Sequence, residues 1–253
     1  MRIWYQSMTD LDRVPGYARV LRQHVAAAGS PGVTVEVHGL RAGTYGDRAP
    51  MEVLRYPLGF HRALSQVLDN VEAAPGRGFD AFLMGSFVAP LLREARSAVD
   101  VPVTSMTESV LLTARSLSRR VGLVCLNEHQ VGTATDLITA LGLDDHYVVA
   151  LPVDVPADEA TVSAALDATA GGGELPDAFV RACRSATEAG ADLVVPAEGI
   201  LSEVARTHDI TAVDGVPVLD CVEVAIAHTA MLARLLRSGA AGVGRRYSYP
   251  KAP

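Results

Sequence analysis

Glu198 and Ser86 are the two side chains whose type and position could act on a small substrate. They occupy matching places in a pattern that the chain carries twice, GFDAFLMGS at 78–86 and GADLVVPAE at 190–198. Aligning Asp80 with Asp192 sets Ser86 opposite Glu198. Each residue closes an apolar run and precedes a segment of helical periodicity, so each is expected where a strand ends and a helix begins. The free N–H groups of a helix's first turn favour a carboxylate or another anion at such a place. Glu198 alone of the pair has a useful acid–base pKa and is the candidate general base. Ser86 keeps its proton near neutrality and can orient a substrate or donate a hydrogen bond. The helix dipole lowers a carboxyl pKa, so a base working near neutrality requires burial to outweigh it.

A second repeated stretch follows each copy: VDVPVTSMTESVLLTARSL at 99–117 and VDGVPVLDCVEVAIAHTAMLARLL at 213–236. Aligning the Pro-Val pairs sets Ser105 opposite Asp220 and Glu108 opposite Glu223. Ser105-x-x-Glu108 and Asp220-x-x-Glu223 both have capping-box spacing ahead of an apolar periodic run, so the two glutamates are read as helix caps rather than as catalytic groups. Ser105 and Asp220, at strand ends, remain within reach of a cleft. Asn127 follows the apolar run 120–126 and has a position suited to lining a cleft; a helix N-terminus accounts for it equally well.

Other chemistries find no support. The seven histidines form neither HExxH nor a Cys/His ligand spacing, so no metal site is expected. No GxxxxGK[ST] occurs, and GAAGVG at 239–244 does not follow a strand. Ser86 sits in LMGSFVA, which lacks the GxSxG elbow of a serine hydrolase.

The elements that must position these residues alternate in type. Strands are expected at 1–6, 33–38, 80–85, 101–104, 120–126, 147–151, 191–196 and 216–219. Helices are expected near 14–28, 50–73, 88–97, 107–118, 129–141, 175–189, 199–207 and 221–237. Several strands lack polar alternation, as strands covered on both faces do. This predicts an α/β fold of two pseudo-symmetric lobes, each a mainly parallel sheet flanked by helices, with the active site in the cleft between them. If each Pro-Val strand starts a crossing, 1–99 and 213–253 form one lobe and 100–212 the other. DATAGGGELPD at 167–177 is read as a surface loop.

Composition narrows the class. The chain has 253 residues, 49 % hydrophobic and 20 % charged, enough for a sizeable core. A net charge of −7 argues against nucleic-acid binding. No apolar stretch reaches membrane-spanning length, and MRIWYQSMTD lacks a signal pattern and reads as a strand. Three cysteines with no CxxC pair fit a reducing compartment, with a cytoplasmic protein expected.

In order and spacing, these motifs resemble the aspartate/glutamate/hydantoin racemase superfamily over nearly the whole chain. The matching residues are DAFLMGSF (80–87) with Pro90 and Arg93-Glu94, the VPV strand with Glu108, and RVGLVCLN (120–127). GADLVVPAEG (190–199), GVPVLD (215–220) and Tyr-x-Tyr-Pro (247–250) complete the match. The resemblance implies cofactor-independent chemistry on a small carboxylate, amide or hydantoin-like substrate, and a homo-oligomer. It also implies two strand-end cysteines that pass a proton across the substrate's α-carbon, and it places them at Ser86 and Glu198. Cys125, Cys183 and Cys221 fall on no such position. Gln6 and Ser7 stand where the family has an Asn-rich strand end that holds substrate. Phe87, Ser105, Asn127 and Gly199 join them as expected substrate-binding residues. A Ser/Glu pair implies asymmetric proton transfer, as in an isomerase or racemase-like enzyme. A decarboxylase or lyase working through an enolate, or a non-catalytic ligand-binding paralogue, are the alternatives.

Overall fold

The run RIWYQ forms β1 (Arg2–Gln6), the second strand of a four-stranded parallel sheet in the order β2-β1-β3-β4. Its neighbours are β2 (Thr34–His38), β3 (Ala81–Met84) and β4 (Val103–Ser105). A computed structural model describes residues 1–88, 91–167 and 171–251. Two compact units appear in it, Met1–Ser109 with Ala225–Pro253, and Val110–Val224.

In the first unit every residue of β3 is buried, which is why its sequence shows no polar alternation. Trp4, Phe82 and Met84 pack with Ala63, Leu64, Val67, Val71 and Ala74 of α3 (Pro57–Gly76). Those helix positions recur at the 3.6-residue period and so form one apolar stripe. α1 (Pro15–Ala28), α2 (Pro50–Leu54) and α4 (Leu92–Ala98) complete this part of the chain.

The second unit holds β5 (Val121–Cys125) between β6 (Tyr147–Pro152) and β7 (Leu193–Pro196), again parallel. α8 (Leu175–Glu188) packs against this sheet and buries Leu175, Ala178, Phe179, Ala182, Cys183 and Ala186, another stripe of helical period. α6 (Glu128–Ala140), α7 (Glu159–Ala165) and α9 (Gly199–Thr207) accompany it. The division between units falls inside α5 (Met106–Leu117) and α10 (Cys221–Arg237) rather than at the Pro-Val strands. β4 pairs with β3 and so keeps 103–105 in the first unit.

The sequence repeat is a repeat of register. Ile3 pairs with Ala81 and Gln6 with Met84; Val121 pairs with Leu193 and Val124 with Pro196. The N–H of Asp80 bonds to Arg2 O, and that of Asp192 to Arg120 O. Phe82 pairs with Val103, and the equivalent Val194 forms a single parallel bridge to Val218. By this register Ser7 of the first unit corresponds to Cys125 of the second.

Several elements differ from expectation. The helix expected over 50–73 is two helices, because Pro57 holds Tyr56 in an extended conformation (φ −97°, ψ 125°). The helix expected from 88 begins at Leu92, after Leu91 in the left-handed region (φ 62°). Pro90 lies outside the described residues. The strand expected at 216–219 is a short antiparallel hairpin of β8 (Ala212–Val213) and β9 (Val216–Pro217). Asp214 and Gly215 turn it with φ 50° and 84°, the paired positive values of a two-residue hairpin turn. α7 was not expected; Asp158 caps it by accepting the Thr161 N–H at 2.8 Å. The expected loop 167–177 ends early, since α8 starts at Leu175 with Pro176 in its first turn; 168–170 lie outside the described residues.

Candidate active site

The C-terminal strand ends of each unit carry the residues singled out from sequence. In the second unit, Glu198 is the N-cap of α9 in extended conformation (φ −162°, ψ 141°), two residues beyond the end of β7. The residue is only partly exposed. Burial pushes its pKa up to about 7, although the N–H groups of Gly199 and Ile200 favour the ionised form. Burial therefore outweighs the helix terminus. Gln130 of α6 donates from Nε2 to Glu198 Oε2 at 3.0 Å. Asn127 caps α6, accepting the Gln130 N–H on Oδ1 at 3.0 Å. Gly199 is buried as the first residue of α9.

Ser86 lies two residues beyond β3 and is partly exposed. It does not cap a helix, because α4 starts only at Leu92. Its Oγ accepts the Val88 N–H at 3.3 Å, a bond that does not use the hydroxyl proton. Phe87 is buried, and its carbonyl accepts a hydrogen bond from Thr107 Oγ1 of α5. A Cβ at Gly85 would lie 2.2 Å from the Tyr5 ring, so the turn into Ser86 passes directly against that ring.

Gln6 is fully buried and its amide is occupied within the protein. Oε1 accepts from Trp4 Nε1 at 3.0 Å and Asn70 Nδ2 at 2.9 Å, and Nε2 donates to Ser7 O at 2.9 Å. This geometry makes Gln6 a brace for the β1 terminus. Ser7 is buried, and its Oγ accepts the Thr9 N–H at 3.3 Å. Ser105 is buried too, and its Oγ caps α5 by accepting the Glu108 N–H at 3.2 Å. Asp220 Oδ1 does the same for Glu223 at 2.9 Å. Both residues therefore cap their helices as the spacing predicts, and the Glu108 carboxylate pairs with Arg96. Ser86 thus shares the strand ends of the first unit with Gln6, Ser7 and Ser105. Asn127 and Gly199 share those of the second with Glu198.

Sequence reasoning missed Gln130. Asn127-x-x-Gln130 has capping-box spacing, a signal that such a glutamine turns back toward the strand end. Its Oε1 does so, accepting the Leu126 N–H at 3.0 Å. Its second partner, Glu198, is 68 residues away in sequence and carries no local signal.

The cysteines contrast with Glu198. All three are fully buried. Burial, with the Glu198 and Glu128 charges adding, pushes the Cys125 thiol up to about 12; burial does the same at Cys183. Burial, then the Asp220 and Glu198 charges, raises Cys221 as well, and its Sγ donates to Pro196 O at 3.1 Å. The native protein is therefore expected to resist iodoacetamide at pH 8 under conditions that alkylate all three thiols of the denatured chain, with turnover unchanged. Rapid alkylation of one thiol with parallel loss of activity would restore a thiol mechanism.

Among the described residues, no cluster of His, Cys, Asp or Glu is arranged to hold a metal ion, and no helix is long and apolar enough to cross a membrane.

The fold is that of known racemases. Allantoin racemase from Klebsiella pneumoniae superposes with a TM-score of 0.75 at 20 % identity, covering 100 % of this chain and 94 % of that one. Allantoin racemase from Pseudomonas fluorescens gives 0.73 at 20 % identity, with 100 % and 97 % covered. A two-residue variant of arylmalonate decarboxylase in liganded form gives 0.59 at 20 % identity, with 96 % and 97 % covered. No curated protein matches in sequence. Residues 16–229 match the Asp/Glu/hydantoin racemase family model, and the chain belongs to that family.

Proposed function

We propose that the protein is a cofactor-independent enzyme that moves a proton α to a carbonyl or carboxylate of a small substrate, with Glu198 as the acid–base group. The observation that carries this reading is the placement of Glu198. A part-buried carboxyl stands at the end of β7, held by Gln130, with a pKa near 7 that lets it take and return a proton at neutral pH. In the first half-reaction the α-C–H bond breaks, its electron pair moves toward the carbonyl oxygen, and the proton joins Glu198. In this reading the Ser86 hydroxyl donates a hydrogen bond to the developing oxyanion. A carboxylate, an amide and a hydantoin-like ring all present such a carbon. The two allantoin racemases among the similar structures make cyclic ureides the first class to test.

Incubation of hydantoins, amino acids and arylmalonates in D₂O, followed by proton NMR, tests this. A single acid–base group predicts deuterium exchange at one enantiomer faster than inversion of that enantiomer. Ligand binding with no exchange and no CO₂ release across the panel would make the chain a non-catalytic ligand-binding protein.

The likeness to arylmalonate decarboxylase supports a second reading. There the C–C bond to a carboxylate breaks, CO₂ leaves with the electron pair staying on carbon, and protonated Glu198 supplies the proton. The pH profile separates the two. Proton abstraction needs ionised Glu198, so kcat/KM rises with pH through about 7. Decarboxylation needs the acid, so kcat/KM falls over the same range.

A further inference from the structure

We propose that Gln130 is a positioning residue that makes the two oxygens of Glu198 inequivalent, reserving Oε1 for the moving proton. This rests on the reading of Glu198 as the acid–base group.

The orientation of the Gln130 amide is set by a group that cannot accept. Its Oε1 faces the backbone N–H of Leu126 at 3.0 Å, and a backbone N–H only donates. The atom facing it must be the carbonyl oxygen, so the NH₂ group faces Glu198 Oε2, at 3.0 Å. An amide NH₂ offers no acceptor to a carboxylic acid proton. Oε2 therefore remains an acceptor whether Glu198 is charged or neutral, and the proton of the neutral form sits on Oε1. The Gln130 backbone is fixed as well, because its N–H is held by Asn127 Oδ1 at 3.0 Å. The first turn of α6 thus fixes Oε2 as an acceptor, while the N–H groups of Gly199 and Ile200 also favour the ionised carboxylate. When the substrate C–H bond breaks, its proton lands on Oε1 and its electron pair stays with the substrate. A hydrogen bond donated to a carboxylate is stronger in its ionised form, so removal of the Gln130 bond is expected to raise the Glu198 titration further.

Gln130→Met keeps the length of the side chain and removes both amide bonds; Gln130→Glu keeps the shape and adds a negative charge beside Glu198. In the Met variant kcat is expected to fall about 10- to 100-fold with KM within about twofold, since the lost contact orients a reacting group rather than binding substrate. The titration seen in kcat/KM, and in ¹³C NMR of carboxyl-labelled glutamate, is expected to move up by about one pH unit in the Met variant and further in the Glu variant. A merely structural role for Gln130 would alter thermal stability without moving either titration. If Glu198→Gln is inactive while Gln130→Met keeps wild-type kcat and an unshifted titration, the role of Gln130 is overturned. If Glu198→Gln is fully active, the underlying reading of Glu198 fails instead.

Discussion

Glu198→Gln is expected to lower turnover at least 100-fold while making the protein more stable above neutral pH. The loss follows from removing the one acid–base group at the end of β7, since positioned general acid–base catalysis contributes about 10²- to 10⁴-fold. The gain follows from linkage. The Glu198 carboxyl titrates near 7 in the folded chain against an ordinary value of 4.5, so the folded state retains a proton that the unfolded chain has released between those values. That contribution to stability is complete below 4.5, declines as the pH rises, and is gone above about 7. At pH 8 the folded protein holds a desolvated carboxylate at a cost on the order of 3 kcal/mol. Glutamine carries no charge, and its carbonyl oxygen can still accept from Gln130 Nε2. The variant should match wild type near pH 4.5 and exceed its Tm by several degrees at pH 8, at roughly 2–4 °C per kcal/mol for a chain of this size. Thermal unfolding of both proteins across pH 4.5–8 checks this. A stability difference that does not grow with pH would remove the desolvated carboxylate from the account, and undiminished turnover would remove Glu198 from the chemistry.

Arg96→Ala is expected to destabilise the protein by about 3 kcal/mol, lowering Tm by roughly 6–12 °C. Arg96 Nε donates to Val103 O at 2.9 Å, its guanidinium pairs with Glu108, and Nη1 donates to Tyr249 Oη at 3.2 Å. Its own carbonyl accepts from Arg245 at 2.8 Å. The Arg96 and Glu108 side chains are 17 % and 23 % exposed, so truncating the arginine leaves a largely buried carboxylate without its counter-charge. The same truncation frees the segment that ends the described chain, where Tyr249 rests on Arg96 and Lys251 pairs with Asp100. Cleavage by trypsin near Arg245 should therefore accelerate together with the drop in Tm. Arg96→Ala and Glu108→Ala combined should destabilise by less than the sum of the two, because they remove one shared interaction. Glu108→Gln should weaken the fold yet keep turnover. Loss of turnover at unchanged Tm would instead make Glu108 a catalytic group.

The fold was legible where local physics is decisive. Continuous apolar runs became strands covered on both faces, and the stripes on α3 and α8 follow the period expected of helices that bury one side. The Asp214-Gly215 hairpin was also written in the sequence, as a two-residue turn between short β-prone stretches. VPVL has the pattern of a longer strand, and only its pairing distinguishes the two. α7 left a weaker trace, being short and alanine-rich with only Asp158 to mark its start. Ser86 was expected at a helix N-terminus, but the left-handed Leu91 delays α4, a backbone event that side-chain periodicity does not record.

For the site, the duplicated strand-end pattern by itself determined the positions of Ser86 and Glu198, the two capping boxes and the family resemblance, because these depend on spacing along the chain. Only the tertiary structure decided what each side chain experiences. It raised Glu198 toward neutrality, since desolvation comes from atoms distant in sequence and outweighs a helix terminus that sequence does reveal. It brought Gln130 to Glu198 across 68 residues, occupied the amide of Gln6 with Trp4 and Asn70, and buried every thiol. A pKa and a hydrogen-bond partner are properties of the surroundings, and the chain acquires those surroundings only when β5 and β7 pair.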